Sequence, residues 1–205
     1  MQKKLIFDSD LLDITLSRLC EQLIENHSSF ENCVILGLQP RGIYLAEMIQ
    51  KKLKKLSKKD IPLGFLDTTF YRDDFRRRDT PAKASETKVP FVIEGKDVVL
   101  IDDIIDTGGT LCKSSSMLMD KGAKSVRALC CHPVLSGKAY ENIDNSVLTE
   151  LVVTDTIPLK YHSDKIKVVS VAPLFARAIR NVHEHGSISS LFKQVFAHQT
   201  KIELK

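Results

Sequence analysis

Val98-Val-Leu-Ile-Asp102-Asp103-Ile-Ile-Asp106-Thr107-Gly108-Gly109-Thr110 decides the fold. An apolar, β-branched run ends in two adjacent carboxylates, a Thr-Gly-Gly-Thr turn follows, and a helical segment then runs to the Gly122 stop. Strand, tight turn and helix aim free backbone N–H groups and the positive end of a helix at an anion. Gly108 and Gly109 let the backbone approach a phosphate, and the hydroxyls of Thr107 and Thr110 add donors. Ionised Asp102 and Asp103 only accept hydrogen bonds, so they suit a vicinal diol rather than the phosphate. A sugar with a terminal phosphate and two neighbouring hydroxyls, such as ribose 5-phosphate, matches that layout. No Gly-Lys-Ser/Thr follows the glycines, which excludes a Walker loop.

A second strand–turn–helix unit lies upstream. Val34–Leu38 reads as a buried strand, Gln39-Pro40-Arg41-Gly42 as a turn, and Ile43, Leu45, Met48, Ile49, Leu53 and Leu56 recur at helical spacing. In an α/β sheet both turns fall at the carboxyl ends of strands, where ligands bind. Arg41 is the cation at this turn, and with the neighbouring N–H groups it is suited to a pyrophosphate. Leu63–Thr69 reads as another strand and opens into a stretch without clear period, Tyr71–Pro90, which holds Arg72, Asp73, Asp74, Arg76, Arg77 and Arg78. Irregular loops longer than ~12–15 residues are commonly lids or binding loops. The four arginines suit closure over a polyphosphate, and Asp73 and Asp74 suit ordering of the loop or a metal-bound water.

Ser125–Cys131, Leu151–Val153 and Lys167–Val171 read as further strands, with helices at Gly137–Ile143 and Leu174–Val182 and an opening helix after Asp8–Asp10. Alternating β and α units predict an α/β domain with a mostly parallel central sheet flanked by helices. A single domain over 1–192 and a tail over 193–205 are expected from the 205-residue length.

The paired acids and the turn resemble the PRPP loop of type I phosphoribosyltransferases and ribose-phosphate pyrophosphokinases. The resemblance implies that Asp102, Asp103, Asp106, Thr107, Gly108, Gly109 and Thr110 hold ribose 5-phosphate or PRPP. Gly37–Ala46 and Leu66–Arg78 further resemble the bifunctional pyrimidine operon attenuator/uracil phosphoribosyltransferase, a similarity that covers residues 1–104. It places Arg41 and Gly42 in a pyrophosphate loop and Tyr71–Arg78 in a mobile catalytic loop, and it implies magnesium, PRPP and a leader RNA. Val126–Gly137, Asn145–Pro158, Ile166–Ala172 and Ser187–Phe192 resemble instead the C-terminal domain of ribose-phosphate pyrophosphokinase, over residues 95–192. The chain therefore reads as a hybrid with its seam near 95–103.

Three functions follow. The first is transfer of phosphoribosyl from PRPP to a base, uracil by resemblance, with Arg41, Arg72, Asp73, Asp74 and Asp106 as catalytic groups. Mg2+ would be carried by the substrate and touched by Asp102 or Asp103. The second is a ribose-phosphate pyrophosphokinase-like protein, expected to be incomplete for ATP because the domain that precedes this one in the family is not seen. The third is a regulator that senses PRPP or a nucleotide and contacts RNA. His132 and the turn at Thr154–Pro158 fall at strand exits and are weaker candidates.

Composition narrows the setting. Hydrophobic residues make up 43% of the chain, and no apolar run approaches the ~20 residues of a membrane helix. Cys20, Cys33, Cys112, Cys130 and Cys131 show no Cys-x-x-Cys spacing and read as buried free thiols, which fits a reducing cytoplasm. The net charge of +4 is shared equally: residues 1–94 carry 16 Lys/Arg against 14 Asp/Glu, and residues 95–205 carry 14 against 12. Bulk charge thus gives no argument for nucleic acid. The lysines at 51, 52, 54, 55, 58 and 59 read as a solvated helix face, with RNA contact as the alternative. A homo-oligomer is expected, and no membrane association.

Overall fold

The computed structural model describes residues 9–26, 30–69 and 86–183. Helix α1 spans Ser9–Asn26, β1 Cys33–Leu38, α2 Gly42–Ser57, β2 Leu63–Leu66, β3 Asp97–Ile105 and α3 Gly109–Asp120. These are followed by β4 Ser125–Pro133, α4 Ala139–Asp144, β5 Glu150–Thr154, β6 Ile166–Val169 and α5 Ala172–His183. The six strands form one sheet in the order β2-β1-β3-β4-β5-β6, with every neighbouring pair parallel. The chain thus has the expected α/β architecture, with its six named strands paired in parallel.

The continuous apolar runs explain that sheet. All six residues of β1 are buried, as expected for a strand covered on both faces. In β3, Val98 and Leu100 face a core shared with Leu111, Leu118, Ala139 and Ile143 of α3 and α4. Val99 and Ile101 face the opposite core, built with Leu16, Leu19 and Leu23 of α1 and Leu45, Ile49 and Leu53 of α2. Cys130 and Cys131 divide in the same way, Cys130 buried in the first core and Cys131 packed against the second. None of the five cysteines forms a disulfide. Among the described residues no helix is long and apolar enough to cross a membrane.

Element boundaries differ from the sequence reading by one to three residues, and three of these differences have a local reason. Strand β2 ends at Leu66 rather than Thr69, because Asp67 Oδ1 accepts from the N–H (2.9 Å) and hydroxyl (2.6 Å) of Thr69 and turns the chain. Strand β6 ends at Val169 rather than Val171, where Asp155 Oδ1 captures the Val171 N–H at 2.7 Å. Helix α4 starts at Ala139 because Gly137 occupies the left-handed region with φ of 56°. The loop reading over 71–90 falls mostly on residues outside the described set. Of its end, Lys88 makes an isolated antiparallel bridge with Phe65 on the β2 edge.

Candidate functional site

Chain order reverses direction between β1 and β3: β2 lies on one side of β1, and β3 onward on the other. A doubly wound sheet opens a crevice at such a switch point, outside the carboxyl ends of the two strands. The loops that leave β1 and β3 there are the two turns singled out from the sequence, Gln39–Arg41 and Asp106–Gly108.

Gly42 brings these loops together. A Cβ on this residue would lie 2.4 Å from the Ile101 carbonyl oxygen and 3.3 Å from Asp102 Cα. The first turn of α2 therefore rests directly on the β3 backbone, an approach that only glycine permits. Arg41, one residue earlier, is carried to β3, and its Nη1 lies 3.9 Å from Asp103 Oδ2. Its side chain is 74% exposed, so this loose ion pair leaves most of the guanidinium open to the crevice.

Asp102 and Asp103 differ in availability. The Asp102 carboxylate accepts the backbone N–H of Asp103 at 2.9 Å, which anchors it to the strand. The Asp103 carboxylate is about one-third exposed and faces Arg41. The pair is thus less symmetric than the sequence implies, because an aspartate side chain can bond its own neighbour's amide, and β3 runs past both acids to Ile105.

Beyond them the backbone turns through Gly108, whose φ of 72° lies in the left-handed region, and helix α3 begins at Gly109. Gly108, the residue at the N-cap, has no side chain to cap this helix, and the first turn holds no acidic residue. The Thr107 hydroxyl accepts from the Gly109 N–H at 3.4 Å. Thr110 is partly exposed in the first turn of the helix. Asp106 is exposed, and one of its oxygens accepts from the Ser136 hydroxyl. Thus Arg41, Gly42, Asp102, Asp103, Asp106, Thr107, Gly108, Gly109 and Thr110 lie in the two loops at the switch point. Arg72, Asp73 and Asp74 lie outside the described residues.

Sequence reasoning passed over two residues that touch this loop, Ser136 and Asn142. Asn142 Nδ2 donates to the Thr107 carbonyl at 3.0 Å. The Ser-Gly turn at 136–137 was the available signal, since such turns place a hydroxyl at a chain reversal. The next strand exits form a separate network. His132 Nδ1 lies 3.0 Å from Thr156 Oγ1, and Thr154 Oγ1 donates to the Cys131 carbonyl at 2.6 Å. Asp155 there is pushed upward by burial. Hydrogen bonds from the Ser170 hydroxyl and from backbone amides, Val171 among them, outweigh this and hold its carboxyl below the usual range.

A parallel sheet in this strand order, with paired acids and a glycine-led helix at its switch point, defines a phosphoribosyltransferase-like α/β domain. The chain belongs to the phosphoribosyl synthetase-associated domain family, whose model matches residues 71–193. It is 50% identical over 165 residues to the ribose-phosphate pyrophosphokinase of Marinomonas sp., covering 79% of this chain and 48% of that protein. Against the enzyme of the same name from Campylobacter jejuni the identity is 57% over 113 residues, covering 54% of this chain and 37% of that one. The crystal structure of phosphoribosylpyrophosphate synthetase from Mycobacterium smegmatis superposes with a TM-score of 0.63 at 29% identity, over 83% of this chain and 51% of that one.

The chain spans about half or less of the length of these relatives. The Marinomonas match of 165 residues cannot be contained in residues 95–205, so the pyrophosphokinase likeness runs back across the expected seam. The findings support that part of the sequence resemblance and give the uracil phosphoribosyltransferase part, and RNA contact with it, no support. Two lysines of the row meet acids on the surface, Lys54 with Asp60 at 3.0 Å and Lys59 with Glu31 at 3.4 Å, as on a solvated face.

Proposed function

We propose that the crevice binds ribose 5-phosphate and PRPP with Mg2+, as the sugar-phosphate half of a ribose-phosphate pyrophosphokinase-type site. The observation that carries the proposal is the meeting of the Asp102–Asp103 pair with the amino end of α3 in one continuous strand–loop–helix. In this reading the 5-phosphate lies against the first-turn N–H groups of α3, where the helix dipole favours an anion. Thr110 adds its hydroxyl. Gly108 and Gly109 keep side chains out of the way. Asp102 and Asp103 accept from the ring hydroxyls, while Asp106 faces the sugar from the loop.

Arg41 offsets phosphate charge at the far side of the crevice, 3.9 Å from Asp103. Held by the same loops, the 1-hydroxyl oxygen attacks the β-phosphorus of ATP. The new O–P bond forms as the α–β bridge breaks, AMP leaves, and the hydroxyl proton passes to solvent. Positioning and charge stabilisation suffice for such a transfer, so no covalent nucleophile is needed. Arg72, Asp73 and Asp74, which follow β2 in sequence, complete the proposed set of catalytic groups.

The donor set fits magnesium carried by the substrate. Among the described residues no group of three or more His, Cys, Asp or Glu is arranged to hold a metal by itself. Mg2+ keeps several waters and commonly binds through one or two carboxylates plus substrate phosphates. Asp102 and Asp103 offer that number, and the ion would neutralise phosphate charge there.

The test is calorimetry of ribose 5-phosphate and PRPP in magnesium, together with AMP release from ATP and ribose 5-phosphate. Binding of both sugar phosphates is expected. UMP synthesis from PRPP and uracil, measured alongside, would move the assignment to base transfer.

A further inference from the structure

We infer that Ser136 is a positioning residue: it fixes the Asp106 carboxylate at the angle the sugar site needs. The inference rests on the ribose-phosphate reading above. The segment after β4 is stitched to the loop after β3 at every step. Val134 and Leu135 both donate to the Ile105 carbonyl, at 3.0 and 3.2 Å, and the Ser136 N–H donates to the Asp106 carbonyl at 3.0 Å. The Ser136 hydroxyl then closes on Asp106 Oδ1, and Asn142 reaches the Thr107 carbonyl at 3.0 Å.

The chain takes an unfavourable conformation to make these bonds. Leu135 has φ of 46°, a left-handed backbone that a branched side chain rarely adopts, although the residue is only 3% exposed. Such strain persists only where surrounding contacts over-determine it, and it concentrates at sites that hold groups in place. With the leucine buried as an anchor, the next residue is directed at the loop. With Ser136 on Oδ1, the second oxygen of exposed Asp106 remains for ligand.

The neighbouring loop is fixed from the same side. A Cβ on Gly108 would come within 3.5 Å of Ile143 Cγ1 and 3.6 Å of the Ala139 carbonyl oxygen, so α4 backs the phosphate turn closely. Asp106 and Thr107 are therefore held by side chains that sequence separation hides, some thirty residues downstream.

The experiment is a double-mutant cycle read by calorimetry of ribose 5-phosphate in magnesium, on the full chain, with a thermal melt of each variant. Ser136→Ala should weaken binding about fivefold to tenfold, the range expected for one lost hydrogen bond to a charged group in a partly exposed setting. Ser136→Thr, which keeps the hydroxyl, should stay within about twofold. In an Asp106→Asn background, Ser136→Ala should add less than about twofold, because its effect passes through the carboxylate. A purely structural serine would lower the melt and weaken binding equally in both backgrounds.

Wild-type binding that Asp106→Asn weakens while Ser136→Ala leaves it unchanged, or multiplies the loss, overturns the positioning role and leaves the sugar site standing. Wild-type binding unaffected by Asp106→Asn overturns the role as well, by removing Asp106 from the site. Failure of the wild-type chain to bind ribose 5-phosphate overturns the sugar site itself, and the inference with it.

Discussion

Gly42→Ala is the substitution that most directly probes how the crevice is assembled. The added methyl would sit 2.4 Å from the Ile101 carbonyl oxygen and 3.3 Å from Asp102 Cα, against an ordinary contact that begins at 3.4 Å. Both neighbours are backbone atoms of a central strand, so no flexible side chain can yield. Relief requires α2 to move away from β3 by about 1 Å, through a close-packed core of Leu45, Ala46 and Ile49. Overpacking of this kind costs ~1–3 kcal/mol, and the rigidity of the partner puts this case at the upper end, about 3 kcal/mol.

In a domain of this size ~3 kcal/mol corresponds to a fall of roughly 6–12 °C in Tm. Urea unfolding of the two proteins measures the loss, with Gly95→Ala as control, because a Cβ there meets nothing within 4 Å and only its φ of 71° is strained. The control should lose about 1 kcal/mol. Gly42→Ala should also weaken PRPP binding, since the shift carries Arg41 away from Asp103. A Gly42→Ala protein within about 0.5 kcal/mol of wild type would refute the close approach of α2 to β3.

Asp155→Ala should destabilise the fold by roughly 1–3 kcal/mol at neutral pH, because the Ser170 hydroxyl and the Val171 N–H lose their acceptor. The carboxyl is lowered on folding, so its contribution is full above the usual value of 3.8 and is lost as pH falls through the lowered native value. The gap in stability between wild type and variant, measured by urea unfolding across pH, should therefore narrow only in strong acid. Thiol labelling at pH 8 should be slow in the native protein and fast in urea. Burial pushes Cys33 up to about 12, with Asp97 adding to it, and Cys131 up to about 11, with Asp103 adding to it, so little thiolate is present.

Arg41→Ala should weaken PRPP more than ribose 5-phosphate, because only PRPP carries a diphosphate for the exposed guanidinium. Equal losses, measured by calorimetry, would place Arg41 outside a pyrophosphate site.

Much of the architecture was legible because it is written locally. The apolar runs at Val34–Leu38 and Val98–Ile101 could be buried on both faces only in a parallel sheet, and the glycines at 42 and 108–109 marked the turns after them. What escaped the sequence was decided across space. Asp67 ends β2, and Asp155 ends β6, by capturing groups two and sixteen residues away, and nothing in a β-branched run announces that capture. The asymmetry of Asp102 and Asp103 depends on where β3 meets α2. Ser136 and Asn142 reach the anion loop only because α4 packs behind it, so their part in the site has no sequence signal beyond a Ser-Gly turn. The likeness to a uracil phosphoribosyltransferase rested on the β1 and β2 loops, and the pyrophosphokinase match that spans both halves outweighs it.

Calorimetric titration of ribose 5-phosphate in magnesium, into wild type and into Asp103→Asn, tests the sugar-phosphate site most directly. A charge-assisted hydrogen bond contributes on the order of 1.5–3 kcal/mol, so the variant should bind at least about tenfold more weakly while melting close to wild type. Equal affinity in the two proteins, or no binding to the wild-type chain, would contradict a ribose-phosphate site at the end of β3.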